Sequence, residues 1–170
     1  IEKHLDKDTH LLFSYHGLPV SHVKRIDSSK NHCQKINDCC SVKSDANQLC
    51  YGHHCMETTH TVVGLLGLKP EQWSISFQSR IGPVKWLEPS TMNKVEELAK
   101  RGIKKLAIVA PAFLADGLET LEELDIGIRE HFAECGGEEL TVIKCLNDDE
   151  EWVKGLSQLI AQRFESPATA

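Results

Sequence analysis

The sequence predicts an α/β fold: a four-stranded parallel sheet flanked by helices. Three observations predict it. Four short aliphatic and β-branched runs alternate with stretches of helical periodicity. Glycines or acidic residues stand where those helical stretches should stop or start. Two polar segments, Ser14-Tyr15-His16-Gly17-Leu18-Pro19 and Asp116-Gly117-Leu118-Glu119-Thr120-Leu121-Glu122-Glu123, each follow such a run directly, where open α/β sheets carry their chemistry.

The elements follow in order. Residues 11–15 read as the first strand. Helical periodicity covers about 51–66. Residues 73–77 read as the second strand, with Trp73, Ile75 and Phe77 on one face. A helix over 91–101 stops at Gly102, and residues 106–110 form the third strand. A helix over 118–135 stops at Gly136, residues 140–146 form the fourth strand, and a last helix over 149–164 starts at Asp148 or Asp149. The tail, Ser166-Pro167-Ala168-Thr169-Ala170, reads as a disordered end.

Composition bounds the function. A chain of 170 residues, 41% apolar and 26% charged, is read as a single α/β domain over 1–170. The net charge is −6 and the Lys and Arg residues are scattered, which leaves no footprint for a nucleic-acid backbone. No run approaches the roughly 20 apolar residues needed to span a bilayer. The opening, Ile1-Glu2-Lys3-His4, lacks Met, so the chain is read as a piece of something longer.

At the first strand exit, Gly17 permits a tight path and Pro19 stops regular structure, holding His16 at the sheet rim. Its imidazole can take a proton near pH 7 or bind a transition metal; the plainer alternative is a loop histidine bonded to its own turn. At the third exit, Leu121, Leu124, Ile128 and Phe132 make an apolar stripe, with Asp116, Glu119, Glu123 and Glu130 opposite. That row can conduct protons or a hydrated cation, or can simply be a wet helix face. At the second exit, Arg80 suits an anionic substituent, and Trp86 either offers a flat face to an aromatic ligand or packs under its loop.

Taken together, residues 11–19, the run Phe77-Gln78-Ser79-Arg80-Ile81-Gly82-Pro83-Val84-Lys85-Trp86-Leu87 and residues 115–123 resemble, in this order and spacing, the C-terminal half of ferrochelatase. The resemblance covers about residues 11–165. It implies a chelatase-type, Rossmann-like domain that inserts Fe²⁺ into protoporphyrin IX together with an N-terminal half. By that resemblance His16 and Glu119 are the catalytic pair and contact the substrate iron, Glu123 and Asp116 are secondary metal contacts, and Trp86, Arg80 and Tyr15 face the porphyrin. The location implied is cytoplasmic. The porphyrin type, the oligomeric state and any peripheral membrane contact stay open.

One departure stands out. After Cys33 about twenty inserted residues carry Cys39, Cys40, Cys50 and Cys55, a cysteine density that suits an iron–sulfur cluster or zinc, with plain reduced thiols or disulfides as the remaining alternative. Some ferrochelatases carry a [2Fe–2S] cluster. The expected ligands here, in an insert spanning about 33–55, are Cys33, Cys40, Cys50 and Cys55, with Cys39 as the substitute for Cys40. Cys135 and Cys145 read as core residues. Two other functions compete: a small homodimeric cobalt or sirohydrochlorin chelatase, and a non-catalytic iron–sulfur or metal-binding module.

Overall fold

Hydrogen-bonded pairing places the earliest strand at the centre. In this computed structural model, which describes residues 1–165, β1 (Thr9–His16), β2 (Trp73–Gln78), β3 (Lys105–Val109) and β4 (Glu139–Val142) form one sheet of order β2-β1-β3-β4. All three pairings are parallel. The helices are α1 (Val20–Lys24), α2 (Tyr51–Leu65), α3 (Thr91–Lys100), α4 (Arg129–Glu134) and α5 (Glu150–Glu165). The tail assigned to disorder lies outside the described residues.

β1 is buried on both faces, which is why it reads as an unbroken apolar run rather than an alternation. Leu11, Phe13 and Tyr15 point into a cluster with Val20, Val23, Cys50, Cys55, Val63 and Phe77, and Trp73 and Ile75 pack against it as their shared face predicts. Leu12 points the other way, into Val95, Leu98, Leu106, Ile108, Leu124, Ile128 and Phe132. The connection from β1 to β2 runs one way across the sheet, and β3 and β4 then build in the opposite direction from β1. The gap between the carboxyl ends of β1 and β3 is therefore the switch point at which such sheets leave a crevice.

The helix ends follow their sequence signals. Gly102 and Gly136 adopt φ of 87° and 92°, the left-handed region that ends a helix without a Cβ penalty. Asp149 Oδ1 accepts from the backbone N–H groups of Glu151 and Trp152, so it is the cap of α5.

Two expectations are corrected and one element is added. The fourth strand stops at Val142 rather than running to 146, because its partner β3 ends at Val109 and the last pair in register is Ile108 with Val142. A short helix, α1, fills part of the segment after Pro19 that carries no prediction. The stretch before α4, Glu119–Ile128, is a π-helix. Its wider turn bonds i to i+5, so the buried positions fall at Thr120, Leu124 and Ile128, and Leu121, assigned to the apolar stripe, is exposed.

Candidate active site

Gln78 links two of the strand exits. It pairs with His16 in the β1–β2 register and its backbone carbonyl accepts from Gly17 N–H at 2.8 Å. The side chain is buried. Its amide accepts from Ser14 Oγ on one side and, through Nε2, donates to the Glu119 carbonyl at 3.0 Å on the other. Gln78 thus touches the residue after His16 and the first residue of the π segment. Sequence reading passes over it, since a glutamine at a strand end carries no special signal.

His16 is half-buried, and its Nδ1 lies 2.7 Å from the Gly17 carbonyl. A carbonyl only accepts, so the ring proton of this bond sits on Nδ1 and the Nε2 lone pair is left for chemistry. The Phe113 ring stands 6.0 Å away at 36° and covers one side of the imidazole. Gly17 cannot carry a side chain: a Cβ there would lie 2.7 Å from Gln78 O and 3.4 Å from Trp86 Cε3.

Glu119 begins the π segment. The absence of a side chain at Gly117 makes room for its carboxylate, whose Oε2 lies 3.2 Å from where a Gly117 Cβ would stand. Glu123, one wide turn on, is pinned instead: Oε1 accepts from Ser79 N–H and Oε2 from Ser79 Oγ, both at 2.8 Å. Glu119, Glu122 and Glu123 share an open hollow of about 360 Å³ with Ser79, Arg80, Ile81 and Leu118. Glu122, absent from the predicted row, enters it because the π geometry changes which residues align. Glu130 is exposed.

Asp116 is not free to meet a cation. Its carboxylate accepts from Asn147 Nδ2, Cys145 N–H and Thr120 Oγ1, and Asn147 holds it well below the usual carboxylate range. Tyr15 is also corrected: it is 3% exposed and bonds Thr59 Oγ1 at 2.9 Å in the core, away from any ligand at the strand exits. Arg80 is occupied, paired with Glu88 at 2.8 Å and donating to Leu87 O. Trp86 packs beside Gly17 and its loop pairs with Pro19, while Nε1 is buried without a partner.

The thiol loop closes on polar anchors. Asp27 accepts from the N–H groups of Ser29, His32 and Cys33, and Asn47 Nδ2 donates to the carbonyls of Cys39 and Val42. Cys33, Cys39 and Cys50 line one small hollow, and the Cys40 and Cys50 sulfurs both lie against Gly52. The neighbouring Cys40 thiol holds the Cys50 pKa below the usual thiol range. Burial pushes Cys33 up to about 11, and the adjoining Cys50, with burial, raises Cys40, which keeps its proton. Cys55 departs from the expected set: it lies against the Tyr51 hydroxyl, and burial raises it to about 12. Among the described residues, no three His, Cys, Asp or Glu side chains converge to hold a metal ion. Also among them, no helix is long and apolar enough to cross a membrane.

The ferrochelatase family model matches residues 1–164. The chain belongs to the ferrochelatase family. It is 48% identical over 158 residues to the ferrochelatase of Pseudomonas fluorescens strain Pf0-1, covering 92% of this chain and 46% of that protein. With the ferrochelatase of Opitutus terrae the identity is 44%, over 89% of this chain and 44% of that protein. The chain therefore spans about half the length of the curated ferrochelatases it matches. A putative cobalamin biosynthesis CbiX protein from Marinobacter aquaeolei VT8 shares the fold, with a TM-score of 0.50, 15% identity, and coverage of 92% of this chain and 98% of that one.

Proposed function

We propose that this chain is the metal-inserting lobe of a ferrochelatase, acting with the remainder of a longer protein to place Fe²⁺ in protoporphyrin IX. The observation that carries the reading is that Gln78 ties the backbone beside His16, whose Nε2 is available, to the backbone carbonyl of Glu119, at the switch point of the sheet. Metal insertion releases two pyrrole protons and strips water from the cation, so it needs a base and oxygen or nitrogen donors close together. His16 Nε2 takes one pyrrole proton, and the resulting imidazolium keeps its Nδ1–H on the Gly17 carbonyl. Glu119 meets the cation or takes the second proton. Glu122 and Glu123 lead protons or cations through the open hollow to solvent. Asp116 acts by holding the start of the π segment, not as a metal contact. The lobe catalyses by favouring a bent macrocycle, whose exposed nitrogen lone pairs resemble the transition state, over a flat one.

For the insert, the donor chemistry fits a [2Fe–2S] cluster, since soft thiolates are the ligands such clusters take. The residues that would hold it are Cys33, Cys39, Cys40 and Cys50, with Cys39 in place of Cys55. The cluster would supply a crosslink for the loop, and no step of the insertion passes through it. A cytoplasmic location, where free thiols stay reduced, goes with this reading.

The test is a fluorescent zinc-insertion assay on the longer protein containing this chain. His16→Ala and Glu119→Ala should each lower kcat/KM by about 10²- to 10⁴-fold. Activity within a few-fold of the parent in both variants overturns the assignment. The 170 residues alone should bind porphyrin weakly and turn over little.

A further inference from the structure

Helix α2 stands between the thiol loop and the strand that carries His16, and it is bonded to both. On the loop side, Cys50 precedes its first residue, Gly52 faces Cys40 Sγ so closely that a Cβ there would lie 2.9 Å from it, and His53 Nδ1 meets the Cys40 carbonyl at 2.7 Å. On the strand side, Tyr51 Oη donates to the His16 carbonyl at 2.8 Å. One turn and two turns further on, Cys55 and Thr59 share that face, and Thr59 Oγ1 bonds Tyr15 Oη at 2.9 Å. Three consecutive residues, Cys50, Tyr51 and Gly52, thus link a thiol pair to the backbone of the reactive histidine.

We propose that Tyr51 is a positioning residue through which the arrangement of the thiol loop sets the orientation of His16. The inference rests on the reading of His16 as the base, but its geometry does not depend on chelatase activity. The His16 ring is fixed at one end by the neighbouring Gly17 carbonyl, so the path of the backbone at residues 16 and 17 decides where Nε2 points. The Tyr51 hydroxyl grips that path at the His16 carbonyl. A thiol loop drawn tighter or released moves Cys40 against Gly52 and His53, which displaces the first turn of α2 and with it the hydroxyl. Coupling of this kind needs a continuous series of packed and hydrogen-bonded groups, and here the series is two contacts long. It also gives the insert a task that metal insertion, which is not a redox reaction, does not otherwise require.

The test uses the longer protein containing this chain and the ring C–H signals of its histidines by NMR, with the His16 signal assigned by its loss in His16→Gln. Cys40→Ala perturbs the loop at the contact with Gly52. The expected result is a displaced His16 signal in Cys40→Ala, an equally clear displacement in Tyr51→Phe, and no further displacement when Cys40→Ala is added to Tyr51→Phe. The His10 signal, at the far end of β1, should stay in place throughout and reports that the sheet is intact. A His16 signal that ignores Cys40→Ala, or that moves by the same amount with and without the Tyr51 hydroxyl, overturns the proposal. Should Cys40→Ala fail to fold, Cys40→Ser is read by the same criteria. If His16 and Tyr51 prove coupled while His16→Ala leaves zinc insertion intact in the longer protein, the coupling stands and the chelatase reading falls.

Discussion

Asp116 and Asn147 hold each other by a reciprocal pair of hydrogen bonds: Asn147 Nδ2 donates to Asp116 Oδ2 at 2.8 Å, and Asp116 N–H donates to Asn147 Oδ1 at 2.9 Å. The pair ties the start of the π segment to the connection between β4 and α5. Asn147 sits at φ 49°, a conformation that asparagine tolerates better than most residues. Asn147→Gly keeps that conformation and removes only the side chain. It should cost about 1–3 kcal/mol in urea denaturation, because the partly buried Asp116 carboxylate loses its shortest donor. An unchanged midpoint would show that the latch carries no weight.

Gly17→Ala should be worse than its size suggests. The new methyl would meet a backbone oxygen at 2.7 Å, and backbone on both sides belongs to the sheet, so little can give way. We expect a loss of about 1–3 kcal/mol from overpacking. Zinc insertion by the longer protein should fall with it, since the displaced residue adjoins His16. Chemical denaturation and the fluorescence assay measure the two effects separately.

Acid should unfold the chain in two windows. His10 is buried with Nε2 on Ser74 and Nδ1 unpartnered, and burial lowers its pKa from 6.5 to about 4. A histidine with a depressed folded pKa stabilises the fold when neutral. That contribution is complete above 6.5 and drains away as pH falls towards 4, at up to about 1.4 kcal/mol per pH unit. Asp27 and Asp116, both depressed, act below this window, losing their contribution only as pH falls under their unfolded values near 3.8. Stability measured against pH in His10→Gln should lose the slope between 6.5 and 4 and keep the one below it. An identical profile in the variant would remove His10 from the account.

The thiols give a spectral prediction. Protein isolated without oxygen should absorb in the visible region through thiolate-to-iron transitions. Cys50→Ser and Cys39→Ser should bleach it, whereas Cys55→Ser and Cys145→Ser should not. Colour lost in Cys55→Ser but kept in Cys39→Ser would restore the first ligand set. A colourless protein with bound zinc would replace the cluster.

Much of the fold was legible because the strands are aliphatic runs bounded by polar turns, and the place of His16 at the end of one of them was legible for the same reason. What the pattern hid has physical causes. Tyr15 precedes His16 and looks like its companion, yet alternation along β1 sends it into the core beside Phe77. Leu121 fits a 3.6-residue stripe and fails in a wider coil. Gln78, Tyr51 and Asn147 act through single hydrogen bonds between segments distant in sequence, and no local pattern encodes such meetings.

The wide coil at Glu119–Ile128 has a consequence for how this lobe tolerates length changes. A π turn holds about one more residue than an α turn, so deleting a single residue between Glu119 and Leu124 would let the backbone relax to the commoner form. Leu124, Ile128 and Phe132 would stay seated under the sheet, but the residues upstream of the deletion, Glu119 among them, would rotate by about 100° about the axis. Glu119 would then face elsewhere while the domain remained folded, leaving a sound scaffold with its foremost acid turned aside by one codon.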